Sequence, residues 1–238
     1  MVVYRLCASC SDEGLRRVLR SRIYVLDFDG VLVHRFTQFM DWLSARKELA
    51  RAMIEGGFNV EVISRYLDPY DLIKLCYNEL GLHKDFNYLS KVLEAFELNA
   101  LPKLVIEPTA KKFIETLTSL GKSIYISTLQ SSSVIKSFTR MIDLPLKDLV
   151  IRARDSGGRP KPYVDQLAEL LKLNESIVVI GDSCTDGFLA RNLNASFVAL
   201  DTDGYTYHEL CYVGAVAVFD GLNDLLELII EAHENGIN

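Results

Sequence analysis

The apolar run Ile23-Tyr24-Val25-Leu26 stops at Asp27-Phe28-Asp29-Gly30 and resumes as Val31-Leu32-Val33. In an extended strand alternate side chains share a face, so Asp27 and Asp29 point the same way where the chain leaves the strand. Gly30 permits a sharp change of backbone direction. Carboxylates at the end of a buried strand are expensive unless something binds them. The pair calls for a cation or a reaction.

The chain has 238 residues, enough for one large domain or two modest ones with a real core. Its net charge of −6 argues against a basic surface for nucleic acid, while a local pocket can still take an anion. No apolar run approaches the roughly 20 residues of a membrane span. The N-terminal stretch is interrupted by Arg5, Asp12, Glu13, Arg16 and Arg17, unlike a signal peptide. The expectation is a cytoplasmic protein without nucleic-acid or membrane partners. Cys7, Cys10, Cys76, Cys184 and Cys211 are an odd, scattered set rather than a disulfide framework. Cys7-x-x-Cys10 has ligand-like spacing without a second pair to complete a metal site, so packing is expected there.

Residues 1–21 read as an N-terminal extension. Ser11 suits the cap of a short helix bearing Leu15, Val18 and Leu19, with a solvated basic face of Arg16, Arg17, Arg20 and Arg22. Residues 34–105 carry helical periodicity without a convincing strand. Phe39, Leu43, Leu49, Met53 and Ile54 precede Gly56-Gly57. Pro69 opens a segment with Leu72, Ile73, Leu75, Cys76 and Leu80, stopped by Gly81, and Leu89, Val92, Leu93 and Phe96 form a further stripe. After Pro108 strands and helices alternate. Strands are expected at 124–127, 177–180, 197–200 and 215–218. Helices are expected at 110–120, 133–142, 163–173, from near Asp186, and at 222–232. Such alternation predicts a doubly wound, mostly parallel α/β sheet with ligands beyond the carboxyl ends of its strands. The helical block is an insertion, so residues 22–33 plus 106–238 form the α/β core and 34–105 an all-helical cap.

Four motifs fall at strand ends. They are Asp27-Phe28-Asp29-Gly30, Thr128 after Ser127, Arg159-Pro160-Lys161-Pro162, and Gly181-Asp182-Ser183-Cys184-Thr185-Asp186. Two acidic clusters, a hydroxyl and a cation meeting at one sheet edge suit magnesium-dependent phosphoryl transfer. With these motifs in this order, the chain from residue 22 to 238 resembles the haloacid dehalogenase-like hydrolase superfamily. Within it the chain looks like the phosphatases with a helical cap inserted after the first motif, the phosphoglycolate phosphatase and beta-phosphoglucomutase-like branch.

The resemblance implies that Asp27 attacks phosphorus and forms an aspartyl-phosphate. Asp29 would protonate the leaving oxygen and then deprotonate water. Its backbone carbonyl, with the carboxylates of Asp27 and Asp182, would hold Mg²⁺, and Asp186 would support the metal directly or through water. Thr128 would hydrogen-bond the phosphoryl group and Lys161 offset its charge. Arg159 stands in an alternative register of the same motif, since Arg159-Pro160-Lys161-Pro162 also fits Lys-Pro-x-Pro. The implied activity is a Mg²⁺-dependent phosphatase acting on a small phosphorylated metabolite. A phosphomutase of the same superfamily is the alternative, and a non-catalytic binding protein of this fold a further one.

Blander readings accompany each motif. Asp-x-Asp-Gly also fits an ordinary turn, and Asp182 also fits a helix cap. Cys184 reads as a spacer, since a thiolate is a poor Mg²⁺ ligand. His34-Arg35, after the first motif, reads as a solvated hinge or as a contact to an anionic substrate, and Asn194, where relatives carry glycine, as a turn residue. Phe36, Phe39, Trp42 and Tyr70 fit core packing and pocket lining equally. The motifs specify no particular phosphomonoester and no oligomeric state.

Overall fold

The computed structural model describes residues 3–7, 12–34, 36–78, 81–144, 147, 149–202 and 204–237. Cys10, Ser11, Arg35 and Leu80, named above, lie outside the described residues.

A seven-stranded sheet is built from β1 (Tyr4–Leu6), β2 (Ile23–Leu26), β3 (Ser123–Ser127), β4 (Leu149–Arg152), β5 (Ile177–Gly181), β6 (Ser196–Leu200) and β7 (Ala215–Phe219). Their order across the sheet is β1-β7-β6-β5-β2-β3-β4. All neighbours are parallel except β1, which runs antiparallel along β7. The registers pair Leu26 with Ile126 on one side and Ile180 on the other. Asp27 therefore leaves the sheet level with Ser127 and Gly181, and Thr128 and Asp182 follow one residue later at the same edge.

Alternation within the strands explains why both faces are covered. Tyr24, Leu26, Ile124, Ile126, Val178 and Ile180 join one apolar cluster, with Leu15, Val18, Phe113, Phe138 and Leu225. Ile23, Val25, Ile177, Val179, Phe197 and Ala199 face the other, with Leu167, Leu170, Leu189 and Leu210. The helices supplying these partners are α1 (Asp12–Leu19), α6 (Ala110–Ser119), α7 (Ser132–Met141) and α10 (Leu222–Glu234) on the first face. On the second they are α8 (Cys184–Asn192) and α9 (Tyr207–Tyr212).

Between β2 and α6 lies a helical segment comprising α2 (Trp42–Glu55), α3 (Val60–Ile63), α4 (Pro69–Lys74) and α5 (Phe86–Ala100). Asp41 caps α2 by accepting from the Ser44 amide, and the turn beyond α2 carries Gly57 at φ +90°. Asp68 caps α4, whose first residue is Pro69. A two-residue ladder, Val33–His34 with Val105–Ile106, closes the base of the segment. Leu49, Met53, Leu72, Ile73, Leu89 and Leu93 are buried and belong to the same apolar cluster as the first sheet face. The packing is continuous from sheet to insertion.

Several elements depart from the sequence-based expectations. The helix from Pro69 ends at Lys74, and Tyr77–Asn78 pairs with Gly81–Leu82 in a small hairpin, so the segment is not wholly helical. Residues 163–173 form two 3-10 turns, Asp165–Leu167 and Leu170–Lys172. Leu167 and Leu170 are both buried, one in each turn. The N-terminal extension contributes β1 to the sheet edge. Finally, Cys7 and Cys211 form a disulfide with Cα atoms 5.5 Å apart, which corrects the packing expectation for Cys7. The pairing follows from β1 lying on β7 while α9 packs against β7.

Candidate active site

The loop after β2 is wound tightly around one acceptor. The amides of Val31, Leu32 and Val33 all donate to the Phe28 carbonyl, and Gly30 donates to Val33. Gly30 has φ +77°, and a Cβ there would lie 1.9 Å from Oδ2 of Asp182. Only glycine lets the loops after β2 and β5 approach this closely.

Carboxylate oxygens of Asp27, Asp182 and Asp186 lie within 4.8 Å of one another. Lys161 is buried among them, its Nζ 2.6 Å from Oδ1 of Asp27 and 2.7 Å from Oδ1 of Asp186. Asp186 also accepts from the amide and hydroxyl of Ser183, completing a capping box at the start of α8. The cap is thus Ser183 rather than Asp182. Asp182 accepts instead from the Thr202 hydroxyl at 2.7 Å.

Burial is the first reason that Asp27 is held well above the ordinary carboxylate range. Lys161 opposes this, and repulsion from Asp186 and Asp182 adds to it. Asp182 is pushed up to about 7, again chiefly by burial and then by Asp186, with Thr202 opposing. Burial disfavours the Lys161 charge, but Asp186 and Asp27 outweigh it and keep the ammonium protonated. Two carboxylates about 4 Å apart repel by about 4 kcal/mol at an effective dielectric near 20. One ammonium does not offset three ionised carboxylates, so a divalent ion would favour the charged forms that burial and repulsion disfavour, and the donors are the hard oxygens that Mg²⁺ prefers.

Asp29 lines the same cavity as Asp27 and Asp182. Its Oδ1 accepts from the Phe36 amide at 2.6 Å, which ties its carboxylate to the hinge into the helical segment. Thr128 is fully buried, with its hydroxyl donating to Oε1 of Gln130. Leu129 and Gln130 form the cavity wall at that strand end. Arg159 lies apart from the acids, paired with Asp165 at 2.8 Å and stacked on Tyr163. Of the two candidate cations, Lys161 is therefore the one among the carboxylates.

The cavity measures about 230 Å³ and is bounded on the insertion side by Trp42, Asp68, Tyr70 and Lys74, with Tyr205 opposite. Phe36 is core, whereas Trp42 and Tyr70 line the cavity. His34 points elsewhere, paired with Glu107 at 2.9 Å. Asn194 adopts φ +53°, the left-handed turn expected where glycine is common, and Cys184 is a free, half-buried thiol. Thr202, Gln130, Asp68 and Tyr205 were missed from sequence. For Thr202 a signal existed, because Asp201-Thr202 directly follows β6 at the same sheet edge.

No protein-family model and no curated protein matches the chain. Solved structures do. The chain is similar to a hydrolase from Pseudomonas syringae, with 23% identity and a TM-score of 0.64 over 88% of this chain and 98% of that one. It is similar to a haloacid dehalogenase-like family hydrolase from Streptococcus pneumoniae at 14% identity and a TM-score of 0.59, covering 90% and 99% of the two chains. A predicted phosphoglycolate phosphatase from Haemophilus somnus superposes at 20% identity and a TM-score of 0.58, covering 88% and 98%. With a mostly parallel sheet, helices on both faces and a helical insertion after the first strand-end acids, this chain has the fold of the haloacid dehalogenase-like hydrolases.

Proposed function

We propose that the protein is a Mg²⁺-dependent phosphatase that hydrolyses a small phosphomonoester through an aspartyl-phosphate. The observation carrying this reading is the set of Asp27 and Asp186, both buried, and the partly buried Asp182 around Lys161 at one sheet edge. The phosphatase among the structural neighbours is consistent with it. Residues 34–105 act as the cap in this reading, over the core of residues 22–33 and 106–238.

Both contacts of the Asp27 carboxylate to Lys161 and to the Phe28 amide use Oδ1, so we assign Oδ2 to attack phosphorus. As the new P–O bond forms, the ester P–O bond breaks and Asp29 delivers a proton to the departing oxygen. Asp29 then takes a proton from water, which attacks phosphorus and restores the Asp27 carboxylate. Lys161 offsets the charge of the phosphoryl oxygens. Thr128 joins them by turning its hydroxyl from Gln130. Asp27, Asp182, Asp186 and the Asp29 carbonyl would hold Mg²⁺, which supplies charge neutralisation for the incoming phosphate.

The cavity volume suits a small organic phosphate rather than a polymer. The cytoplasmic expectation meets one opposing observation in the Cys7–Cys211 bond, which mesophilic cytosol keeps reduced and hyperthermophile interiors retain. Thiol counting on protein taken directly from its native cells decides between these. For the activity, the test is phosphate release from p-nitrophenyl phosphate and a panel of phosphorylated metabolites. EDTA should abolish release and Mg²⁺ restore it, and turnover indifferent to chelation would contradict the metal assignment.

A further inference from the structure

Arg154, just beyond β4, and Glu97, on α5, are both completely buried. Glu97 stands in the apolar stripe of α5, four residues beyond Leu93. The Arg154 guanidinium has five N–H groups, and five contacts are present. Nε donates to the Ser90 hydroxyl at 2.9 Å and Nη2 to the Ser90 carbonyl at 3.0 Å. Nη1 reaches Oε1 of Glu97 at 2.7 Å and the Leu129 carbonyl, and Nη2 reaches Oε2 of Glu97 at 3.2 Å.

Glu97 is used as fully. Oε1 accepts from the Tyr70 hydroxyl at 2.8 Å and Oε2 from the Ser131 amide at 3.2 Å. The Arg154 amide donates to the Gln130 carbonyl at 3.0 Å. Gln130 in turn accepts from the Thr128 hydroxyl and donates to Tyr70 at 3.5 Å. Every residue from Thr128 to Ser131 is thus held, directly or through one neighbour, by this pair, as is Tyr70 of the cavity wall.

We propose that Glu97 and Arg154 are positioning residues that set the Thr128–Ser131 loop and Tyr70 against the reacting phosphoryl group. This rests on the phosphatase reading. The pair touches no cavity surface and acts through Leu129, Gln130, Ser131 and Tyr70. Exchanging both partners for apolar residues of similar size is commonly neutral or stabilising, whereas removing one leaves an uncompensated buried charge.

The test compares wild type with the double variant Glu97→Leu/Arg154→Met, using p-nitrophenyl phosphate with Mg²⁺, thermal unfolding, and emission from Trp42. Trp42 is the sole tryptophan and lies edge-on to Tyr70 with ring centroids 6.0 Å apart. The double variant should fold with a lower Tm, because Ser90, Leu129, Ser131 and Tyr70 lose their partners. It should lose about 10–100-fold in kcat at a temperature where it is folded, as small misplacement of catalytic groups does. KM should change little, and Trp42 emission should shift as Tyr70 loses its anchor. A folded double variant with wild-type kcat and unshifted emission would overturn the proposal. If that variant does not fold, Glu97→Gln, which keeps the side-chain shape and one acceptor oxygen but turns the other into a donor, decides by the same criteria. Failure of both to fold would make the pair a folding element and refute the positioning role. Wild-type protein without turnover would refute the phosphatase reading instead, and the pair would then be judged on Trp42 emission alone.

Discussion

Thr202 donates its hydroxyl to Oδ2 of Asp182 across 2.7 Å, from the end of the neighbouring strand β6. Outer contacts of this kind orient a ligand and commonly account for 10–100-fold in metal affinity. Thr202→Val keeps the side-chain shape and removes the donor. Mg²⁺ affinity measured calorimetrically should fall by about tenfold, with stability changed by about 1 kcal/mol or less. Unchanged affinity would remove Thr202 from the site.

Gly30 and Gly57 separate backbone strain from crowding. Both have positive φ, but only at Gly30 would a Cβ run into Asp182, whereas a Cβ on Gly57 would meet nothing within 4 Å. Each alanine substitution should lower stability by about 1–2 kcal/mol through the left-handed backbone. Gly30→Ala should in addition lose Mg²⁺ binding, while Gly57→Ala retains it. Equal Mg²⁺ affinity in the two variants would contradict the close approach.

Asp68 caps α4 through the Tyr70 amide at 2.6 Å, and burial first of all raises its pKa. A carboxyl whose folded pKa exceeds its unfolded value leaves stability untouched below the unfolded value. It lowers stability as pH rises through the folded value. Asn caps as well as Asp without the charge. Asp68→Asn should raise Tm at pH 7 by about 1–2 °C, with the difference from wild type vanishing near pH 3.5. A difference that grows toward acid pH would mean that the Asp68 carboxylate stabilises the fold instead.

The Cys7–Cys211 bond joins β1 to α9 across 204 residues of sequence. Cross-links closing long loops stabilise by about 2–4 kcal/mol. Reductant, or Cys211→Ser, should lower Tm by roughly 5–15 °C, and alkylation before and after reduction should differ by two thiols. A Tm insensitive to reductant would argue against the bond.

Strand-end acids were legible because a buried β2 and a buried β5 have sharp apolar signatures that stop at Asp27 and Asp182. The end of α2 was legible in Gly56-Gly57 and the start of α4 in Pro69, whereas the end of α4 was not, because Gly81 belongs to the hairpin that follows. Tyr4–Leu6 was not, since a three-residue edge strand with half-exposed side chains has no periodicity to read. Nor was β4, which is short and half-buried. Glu97 left a trace as a charge within an apolar helical stripe, but its partner Arg154 is 57 residues away and no local pattern links them. The hydroxyl of Thr128 was expected to face phosphate, and only the fold reveals Gln130 as its acceptor.

Asp27 is the proposed phosphoryl acceptor. Rapid quenching of wild type during turnover of p-nitrophenyl phosphate with Mg²⁺, followed by intact-mass and peptide analysis, tests it most directly. One phosphoryl group on the peptide containing Asp27, absent in a folded and inactive Asp27→Asn variant, is the predicted result. Wild-type turnover by Asp27→Asn, or phosphoryl label on another residue, would contradict it.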